Sequence, residues 1–423
     1  MADFSFVHAA DLHLDTPFEG VAKAAPEVGD ALREASLEAW DELVRVTLEA
    51  GAAFLVLAGD IYDGAERGVR AQLRFRRGLE RLSEHGVRAF IVHGNHDPLG
   101  GWSAVDQWPE GVHTFGANAV EAVPVEIDGR PAATVHGLSY GRRETSENLA
   151  LRFKRGEGEG LHVGLLHANV GSNPEHAPYA PCSLADLRAA QLDYWALGHI
   201  HRRREVSRDP WVMYPGDTQG RSPKPAESGA KGALVVEVGG STVREARFVA
   251  TDTVRFAQSE LDIAGLDDVV ALRAALLEAA DTLRGEHEGR GLLVRVRLQG
   301  RGPVHGLLRA PRAVADLVEE LRDEWGGATP FLWIESLRDE TRSPLDHDEI
   351  RKRGDFSAEL LALAEGLRED GERREALLSG LYEPLGRGRA GRWVQPLACG
   401  ETAIELLRRA EGRALDLLEQ EQA

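Results

Sequence analysis

Short apolar runs recur along the first 250 residues of the chain, and helical patterns separate several of them. The runs lie at Phe4 to Ala10, Phe54 to Ala58, Ala89 to His93, Ala132 to Leu138, Leu161 to Leu166 and Tyr194 to Leu197. Apolar residues recur with a helical period from Val28 to Glu49 and from Gly68 to Glu84. This alternation of strand and helix predicts an α/β layer architecture.

The pattern changes towards residue 250. Runs at Trp211 to Tyr214, Ala233 to Val238 and Val243 to Val249 have no helices between them, and we expect antiparallel strands that close the layer. Residues 251–338 then predict strand, helix, strand, helix and strand, which indicates a small separate α/β domain. We therefore predict three parts, at 1–250, at 251–338, and a linker with a helical C-terminal segment at 339–423.

Polar residues that can bind metal follow five of the apolar runs, where an α/β sheet presents its functional loops. Side chains at positions i and i+2 of an extended segment point the same way, so one Asp-x-His pair and one His-x-His pair can each face a pocket. The segments are Asp11-Leu12-His13, Gly59-Asp60, Gly94-Asn95-His96-Asp97, His167 and Gly198-His199-Ile200-His201. We expect these strand ends to converge.

Carboxylate, imidazole and amide oxygen, without thiolate, form a ligand set for ions such as Mn²⁺, Fe²⁺ or Zn²⁺. Seven candidates are too many for one tetrahedral ion, but they suit two ions that share a bridging carboxylate, for which Asp60 is the natural choice. Catalytic metal pairs lie about 3.5 to 4 Å apart and hold the attacking and leaving oxygens of a phosphoryl displacement. The candidate ligands are Asp11, His13, Asp60, Asn95, His167, His199 and His201.

The order of these motifs, DxH, GD, GNHD, H and GHxH, resembles the calcineurin-like metallophosphoesterase superfamily. The segments FVHAADLHLDTPFEG, YWALGHIHRRREV and VMYPGDTQGRSP resemble bacterial DNA repair exonucleases of the SbcD type, especially a YhaO-like branch. This likeness implies an α/β fold with a β-sandwich flanked by helices, a small α/β capping domain and a helical C-terminal segment. The sequence departs from the pattern at Asp217, since asparagine or serine often follows the YPG tripeptide, and the role of this acid stays open.

The resemblance also implies roles for the site residues. His96 would lie beside the scissile phosphate, where it would stabilise the developing charge or protonate the leaving oxygen, and Asp97 would orient its ring. The attacking hydroxide would come from water whose pKa the ions lower, and Mn²⁺ is the expected activating ion. The implied ligands of the first ion are Asp11, His13, Asp60 and His201, and those of the second are Asp60, Asn95, His167 and His199.

The activity implied by the resemblance is Mn²⁺-dependent hydrolysis of DNA phosphodiesters by a repair exonuclease. The small domain would help to select or position the DNA, and the C-terminal helices would bind a coiled-coil ATPase of the SbcC kind. The chain contains no Gly-Lys pair and hence no Walker A loop, so any ATP-driven step must come from a partner. The oligomeric state stays open, and a homodimer is one of the states we consider.

Three other functions compete with this one. The segment Gly137-Leu138-Ser139-Tyr140-Gly141 matches the GxSxG nucleophile elbow of serine hydrolases, and Asp193 with His199 or His201 could complete a triad. No HGGG oxyanion element precedes it, however, and a serine hydrolase would leave the metal-type motifs unexplained. The chain could instead hydrolyse a small phosphoester, or it could tether DNA as a scaffold with a slow or latent nuclease.

The charge of the chain bears on the DNA hypothesis. Fifty Lys and Arg against 69 Asp and Glu give a net charge of −19, which repels nucleic acid unless something local reverses it. Two divalent ions outweigh the two ligand aspartates and leave the loaded site at about +2. Arginines near the motifs could contact phosphate as well, namely Arg202, Arg203 and Arg204, and Arg67, Arg70, Arg74, Arg76, Arg77 and Arg81. The acidity therefore does not exclude DNA.

The cysteine content favours a reducing compartment. Cys182 and Cys399 are too few for a disulfide framework or a thiolate zinc site. The first residues have no basic region followed by a long apolar run, and about 18 apolar residues occur together nowhere. We expect a cytoplasmic protein without a membrane segment.

Overall fold

The structure is a computed structural model that describes residues 3–16, 26–64, 68–100, 104–105, 107–143, 145–171, 180–287, 289–326, 329–386 and 400–420. Its strands are β1 Phe4–Ala9, β2 Phe54–Ala58, β3 Arg88–Val92, β4 Val112–Thr114, β5 Glu121–Ile127, β6 Arg130–Leu138, β7 Leu161–His167, β8 Tyr194–Gly198, β9 Arg204–Arg208, β10 Trp211–Tyr214, β11 Gly232–Gly239, β12 Thr242–Ala250, β13 Val254–Asp262, β14 Gly291–Gln299 and β15 Leu332–Asp339. Its helices are α1 Pro26–Glu49, α2 Val69–Glu84, α3 Leu184–Ala189, α4 Val269–Glu286, α5 Val304–Leu308, α6 Ala313–Gly326, α7 His347–Arg353, α8 Phe356–Glu369, α9 Gly371–Gly386 and α10 Gly400–Gln420.

Two six-stranded sheets carry the candidate site. The first has the order β12-β11-β1-β2-β3-β4, and the second has the order β5-β6-β7-β8-β10-β9. Strands β1 to β4 are parallel, as are β6, β7, β8 and β10, whereas β5, β9, β11 and β12 pair antiparallel with their neighbours. The antiparallel prediction is therefore confirmed for β11 and β12. Strand β10 is antiparallel to β9 but parallel to β8.

The two sheets pack face to face over an apolar core. Phe6 of β1 lies edge-on to Tyr194 of β8, with ring centroids 5.3 Å apart, so the contact joins the two sheets. The other face of the first sheet packs on α1 and α2, where Trp40 and Phe75 are buried. Each residue of β2 is buried because both faces of the sheet are covered, which explains why this strand reads as a continuous apolar run. The predicted α/β fold, a sandwich flanked by helices with a helical C-terminal segment, is confirmed.

The rest of the chain forms a three-stranded sheet of order β13-β14-β15 and the helices α4 to α10. Contacts divide the chain into two compact units, one with residues 1–259, 277–297 and 315–338, and the other with residues 260–276, 298–314 and 339–423. All candidate ligands belong to the first unit. The predicted three-part division at residues 250 and 338 stays a prediction.

Two smaller expectations concern cysteine and the membrane. Cys182 is buried, and burial raises the pKa of its thiol to about 12, as for an inert core residue. Cys399 lies outside the described residues. No helix in the described part of the chain is long and apolar enough to cross a membrane.

Candidate metal centre

The loops after β1 and β2 pair with each other through their backbones. The N–H of Asp11 donates to the carbonyl of Gly59, and the N–H of His13 donates to that of Asp60, both at 3.0 Å. Several candidate ligands have left-handed backbone, with φ of 52° at Asp11, 43° at His13, 52° at Asp60 and 98° at His199. Such conformations are unfavourable for residues with a Cβ and cluster at functional sites. The strand ends therefore form a tightly constrained floor for the site.

Two glycines allow the sheets to approach closely at this floor. A Cβ on Gly59, whose φ is 89°, would lie 2.6 Å from Nδ1 of His167. A Cβ on Gly198 would lie 2.0 Å from the carbonyl oxygen of Ala58. Glycine is therefore required at both positions, because any larger residue would separate β2 from β7 and β8.

One group of predicted ligands combines the Asp-x-His and His-x-His motifs. Asp11, His13 and His201 each offer a ligand atom within 4.8 Å of the others. The Nε2 atoms of His13 and His201 face each other at 3.2 Å. Asp11 and His13 are fully buried. The structure thus brings three of the four implied ligands of the first ion into one group.

A second group lies around Asp60 and includes Asp11 and His167 within the same 4.8 Å limit. Nε2 of His167 is 3.3 Å from Oδ2 of Asp60 and 3.0 Å from Oδ1 of Asn95. The same Asp60 oxygen is 3.9 Å from Nε2 of His13, so it lies within 4 Å of one histidine from each group. Asp11 is the residue that the two groups share, and the bridging role of Asp60 stays a prediction.

His199 is placed differently from the other candidates. Its ring packs against that of His167 with the centroids 5.3 Å apart, and its backbone N–H donates to both carboxylate oxygens of Asp11 at 3.1 Å. It lies outside the groups of three or more ligand atoms found among the described residues. Its assignment as a ligand stays a prediction.

Protons balance the buried carboxylates of the site. Burial opposes the ionisation of Asp60, yet the neighbouring His167 and His13 hold its pKa well below the usual range. Burial also opposes the protonation of His167, yet Asp60 and Asp11 raise its pKa to about 9. Burial raises the pKa of Asp11 to about 6 against the effect of His201 and His167. Positive charge at this place is therefore strongly favoured.

The donor set fits divalent metal ions. Burial holds the pKa of His13 well below its usual range, so its imidazole is neutral and can ligate. Its Nδ1 is buried and has no hydrogen-bond partner among the described residues. The facing nitrogens of His13 and His201 attract each other only with a proton or a cation between them. These oxygen and imidazole donors suit the ions expected from the sequence.

His96 lies at the rim of the site, with about a third of its side chain exposed, 32%. Its ring is edge-on to that of His13, with centroids 5.0 Å apart, and its backbone N–H donates to Oδ1 of Asp60 at 2.9 Å. Nδ1 of His96 is 2.6 Å from Oδ1 of Asp63, and the other oxygen of Asp63 forms an ion pair with Arg221. Asp63 and Arg221 are functional candidates that the sequence motifs did not reveal.

The predicted role of Asp97 requires a correction. Its carboxylate is fully buried and lies 3.0 Å from Nδ1 of His93. It also accepts from the backbone N–H groups of Ile61 at 3.0 Å and Gly94 at 2.8 Å. Asp97 thus ties the GNHD turn to the loop after β2, and the carboxylate that holds the His96 ring is that of Asp63. Neighbours in sequence diverge here because successive side chains of an irregular turn point in different directions.

Ser139 is not built as a nucleophile. Its hydroxyl donates to the carbonyl of Phe115 at 2.6 Å and accepts from the backbone N–H of His93 at 3.0 Å. The residue is 2% exposed. These bonds connect the segments that follow β3, β4 and β6. They favour a structural role for Ser139 over the serine hydrolase hypothesis.

The arginines near the motifs divide into two sets. In α2, Arg70 pairs with Glu34, Arg74 with Asp41, and Arg76 with Glu80. The first two pairs connect α2 to α1, and the third lies within α2. Arg77 and Arg81 of the same helix are exposed, and Arg67 lies outside the described residues. In contrast, residues 202–204 directly follow the last ligand and are exposed.

Comparison with known proteins identifies the family. The model of the calcineurin-like phosphoesterases matches residues 4–203, and that of the middle domain of metallophosphoesterase YhaO matches residues 256–342. The uncharacterized metallophosphoesterase YhaO of Bacillus subtilis strain 168 is 35% identical over 346 residues, which are 81% of this chain and 83% of that protein. The chain belongs to the calcineurin-like metallophosphoesterase family. All seven candidate ligands lie within the part of the chain that matches this family of hydrolases.

Two more distant relatives of this metallophosphoesterase have named functions. The DNA double-strand break repair protein Mre11 of Thermoplasma acidophilum is 27% identical over 190 residues, 44% of this chain and 50% of that protein. The SbcD component of the nuclease SbcCD of Bacillus subtilis strain 168 is 24% identical over 241 residues, 48% of this chain and 58% of that protein. Similarity to both is distant and spans about half of this chain.

Proposed function

We propose that this metallophosphoesterase is a Mn²⁺-dependent nuclease that hydrolyses DNA phosphodiester bonds. The observation that carries the proposal is the convergence of carboxylate, imidazole and amide donors from the ends of strands in both sheets, with His96 at the exposed rim. The distant relatives named as Mre11 and as a component of nuclease SbcCD support DNA as the substrate.

We assign the predicted ligands to two ions in the way that the family resemblance implies. When bound, a pair of divalent ions lowers the pKa of water and neutralises charge on the phosphate. Asp60 would serve both ions, because one of its oxygens lies within 4 Å of both His13 and His167. The first ion would be held by Asp11, His13, Asp60 and His201, and the second by Asp60, Asn95, His167 and His199.

His96 would act on the phosphate itself. A carboxylate only accepts hydrogen bonds, so the contact with Asp63 places a proton on Nδ1 of His96. Nε2 is then the nitrogen that meets the substrate, where a protonated ring stabilises charge or donates to the leaving oxygen. The hydrogen bond of His96 with Asp63, assisted by Arg221, holds the pKa of Asp63 well below its usual range, so this carboxylate is ionised.

The exposed arginines next to the last ligand offer a path for the DNA backbone. Arg203 lies over the ring of Phe248, 4.3 Å from its centroid, and Arg202 and Arg204 are exposed beside it. Phosphate contacts of this kind give affinity without sequence preference and weaken with salt. The local positive charge would offset the net charge of −19.

Partner and location are also part of the proposal. The SbcD component belongs, by its name, to a nuclease of more than one kind of chain, and the present chain has no Gly-Lys pair for a Walker A loop. We infer a coiled-coil ATPase of the SbcC kind as partner, bound by the C-terminal helices, with residues 251–338 helping to position the DNA. A homodimer and a cytoplasmic location stay predictions.

The decisive test is a nuclease assay with Mn²⁺ on linear DNA, with and without a co-purified ATPase. We expect cleavage by the wild type, its loss with EDTA, and a fall of about 10² to 10⁴ in rate for His96→Ala. Bis-p-nitrophenyl phosphate, phosphomonoesters and cyclic nucleotides serve as competing substrates. Wild-type activity in His96→Ala would refute the mechanism, and turnover of phosphomonoesters alone would refute DNA as the substrate.

A further inference from the structure

The β10–β11 loop, residues 215–231, holds the candidate ligand His201 from two sides. Nδ1 of His201 is 2.8 Å from Oε1 of Glu227. The ammonium group of Lys231 donates to the backbone carbonyl of His201 at 2.9 Å and lies 2.8 Å from Oδ1 of Asp217. The ring and the backbone of this ligand are therefore both bound by one loop.

These charged groups are buried, which is costly unless they are paired. Asp217 is fully buried, Lys231 is 5% exposed and the side chain of Glu227 is 14% exposed. A loop that only connected two strands would not need them. Asp217, where the sequence departs from the SbcD-type pattern, thus has a place in the structure as the partner of Lys231.

The cluster does not form a third metal site. His201, Asp217 and Glu227 do offer ligand atoms within 4.8 Å of one another. However, the ammonium group of Lys231 already provides the positive charge beside Asp217, and Nδ1 of His201 is bound to Glu227. The group is better explained as a support for His201 than as a binding site for an ion.

The contact with Glu227 determines which nitrogen of His201 can bind metal. A carboxylate only accepts hydrogen bonds, so Nδ1 donates to Glu227 and Nε2 is the nitrogen left for a metal ion. Nε2 is also the nitrogen that faces Nε2 of His13 at 3.2 Å.

The β10–β11 loop is also bound to the segment that begins β13. The side-chain carbonyl of Gln219 accepts from the N–H of Thr253 at 3.0 Å, and the N–H of Gly229 donates to the carbonyl of Phe256 at 2.9 Å. The backbone N–H of Arg221 donates to Oε2 of Glu227 at 3.3 Å. Glu227 is therefore held in position by the loop before any ion is bound.

We propose that Glu227 is a positioning residue that orients His201 for metal binding, and that the buried pair Asp217–Lys231 fixes the loop that carries it. The proposal rests on the metal centre of the proposed function. Carboxylate partners of metal-binding histidines fix the tautomer and the ring orientation, and their loss typically lowers metal affinity about 10- to 100-fold. Because His201 is the candidate ligand that Glu227 contacts among the described residues, the loss of Glu227 weakens one site selectively.

The experiment measures Mn²⁺ binding to the full chain by isothermal titration calorimetry, with free Mn²⁺ counted by electron paramagnetic resonance. The variants are Glu227→Gln, which keeps the shape and removes the charge, and Glu227→Ala. The matched control is Glu205→Gln, since Glu205 is an exposed carboxylate of β9 that pairs with Arg208. Thermal unfolding in EDTA records the stability of each metal-free protein.

We expect one of two Mn²⁺ sites to weaken about 10-fold in Glu227→Gln and towards 100-fold in Glu227→Ala, with the other site unchanged. The control and the metal-free unfolding temperature of Glu227→Gln should match the wild type. Equal affinity at both sites in both variants overturns the proposal, as does an equal loss at both. Absence of Mn²⁺ binding, or of DNA cleavage, in the wild type would instead refute the proposed function.

Discussion

Replacing Asp63 with asparagine tests whether this residue, rather than Asp97, prepares His96 for catalysis. The change keeps the shape of the side chain but removes its charge and one of its two acceptor oxygens. In the wild type these oxygens hold Nδ1 of His96 at 2.6 Å and the guanidinium of Arg221. The amide cannot hold both donors through oxygen, so the orientation of His96 is weakened without any change in the predicted metal ligands.

The size of the effect is bounded from two sides. A hydrogen bond to a charged group contributes about 1.5 to 3 kcal/mol and a neutral one about 0.5 to 1.5 kcal/mol, so loss of the charge costs about 1 to 1.5 kcal/mol. This corresponds to about a tenfold loss of rate. The side chain of Asp63 is a quarter exposed, 25%, and solvent screening keeps the effect near that value. Complete loss of the imidazole in His96→Ala sets the ceiling at about 10² to 10⁴.

The assay is Mn²⁺-dependent hydrolysis of bis-p-nitrophenyl phosphate, with kcat and KM determined for Asp63→Asn, His96→Ala and the double variant. We expect Asp63→Asn to lower kcat about tenfold and to leave KM and Mn²⁺ affinity unchanged. In the His96→Ala background the same change should cost nothing further, because Asp63 acts through His96. The control is Asp128→Asn, an exposed turn residue whose φ of 51° suits asparagine.

Two results would refute this reasoning. If the two substitutions multiplied in the double variant, Asp63 would act independently of His96. If Asp63→Asn weakened Mn²⁺ binding, Asp63 would be a metal ligand, which its place in a group with His13 and His96 within 4.8 Å permits.

Three further predictions follow from buried contacts. Asp97→Asn should lower the free energy of unfolding by about 1 to 3 kcal/mol in urea titrations, because it disturbs the bonds with His93 and the turn; slow turnover at unchanged stability would contradict this. Ser139→Ala should leave Mn²⁺-dependent turnover intact, and the wild type should resist labelling by a fluorophosphonate, whereas hydrolysis insensitive to EDTA would revive the serine mechanism. Burial lowers the pKa of His8 to about 3, so the unfolded chain binds an extra proton between about pH 6.5 and pH 3. The free energy of unfolding should therefore fall by up to about 1.4 kcal/mol per pH unit as the pH decreases through that range, and His8→Gln should flatten the slope in EDTA.

The strands and the candidate metal ligands could be predicted because each is recognisable in a short stretch of sequence. A buried strand reads as an apolar run, and the ligand follows it directly, as Asp60 follows β2. The edge strands β5 and β9 were missed for the opposite reason, since their exposed residues interrupt the apolar pattern. A search for continuous apolar runs does not find such strands, even where apolar side chains alternate, as at Val123, Val125 and Ile127 of β5.

The positioning groups could not be found in this way. Asp63, Arg221 and Glu227 lie in loops without periodicity, and they meet their partners only after the two sheets pack together. The distance in sequence between Asp63 and Arg221 is 158 residues, so no local pattern links them. Proximity in sequence also pointed to the wrong partner for Asp97. This residue follows His96 directly, but its carboxylate lies 3.0 Å from Nδ1 of His93.

The site therefore consists of two sets of residues that come from different parts of the fold. The donors of the predicted metal centre come from strand ends, where backbone pairing and left-handed φ values leave little freedom. The groups that orient His96 and His201 come from two loops, and Arg221 and Glu227 both belong to the β10–β11 loop. The β10–β11 loop binds both the ring and the backbone of His201, whereas the backbones of Asp11 and His13 are bound by the loop after β2. A change in the β10–β11 loop is therefore expected to act on His201 and His96 before the other candidate residues. Differences in rate and substrate among such enzymes are then to be sought in the loops, where Asp217 marks this chain as distinct.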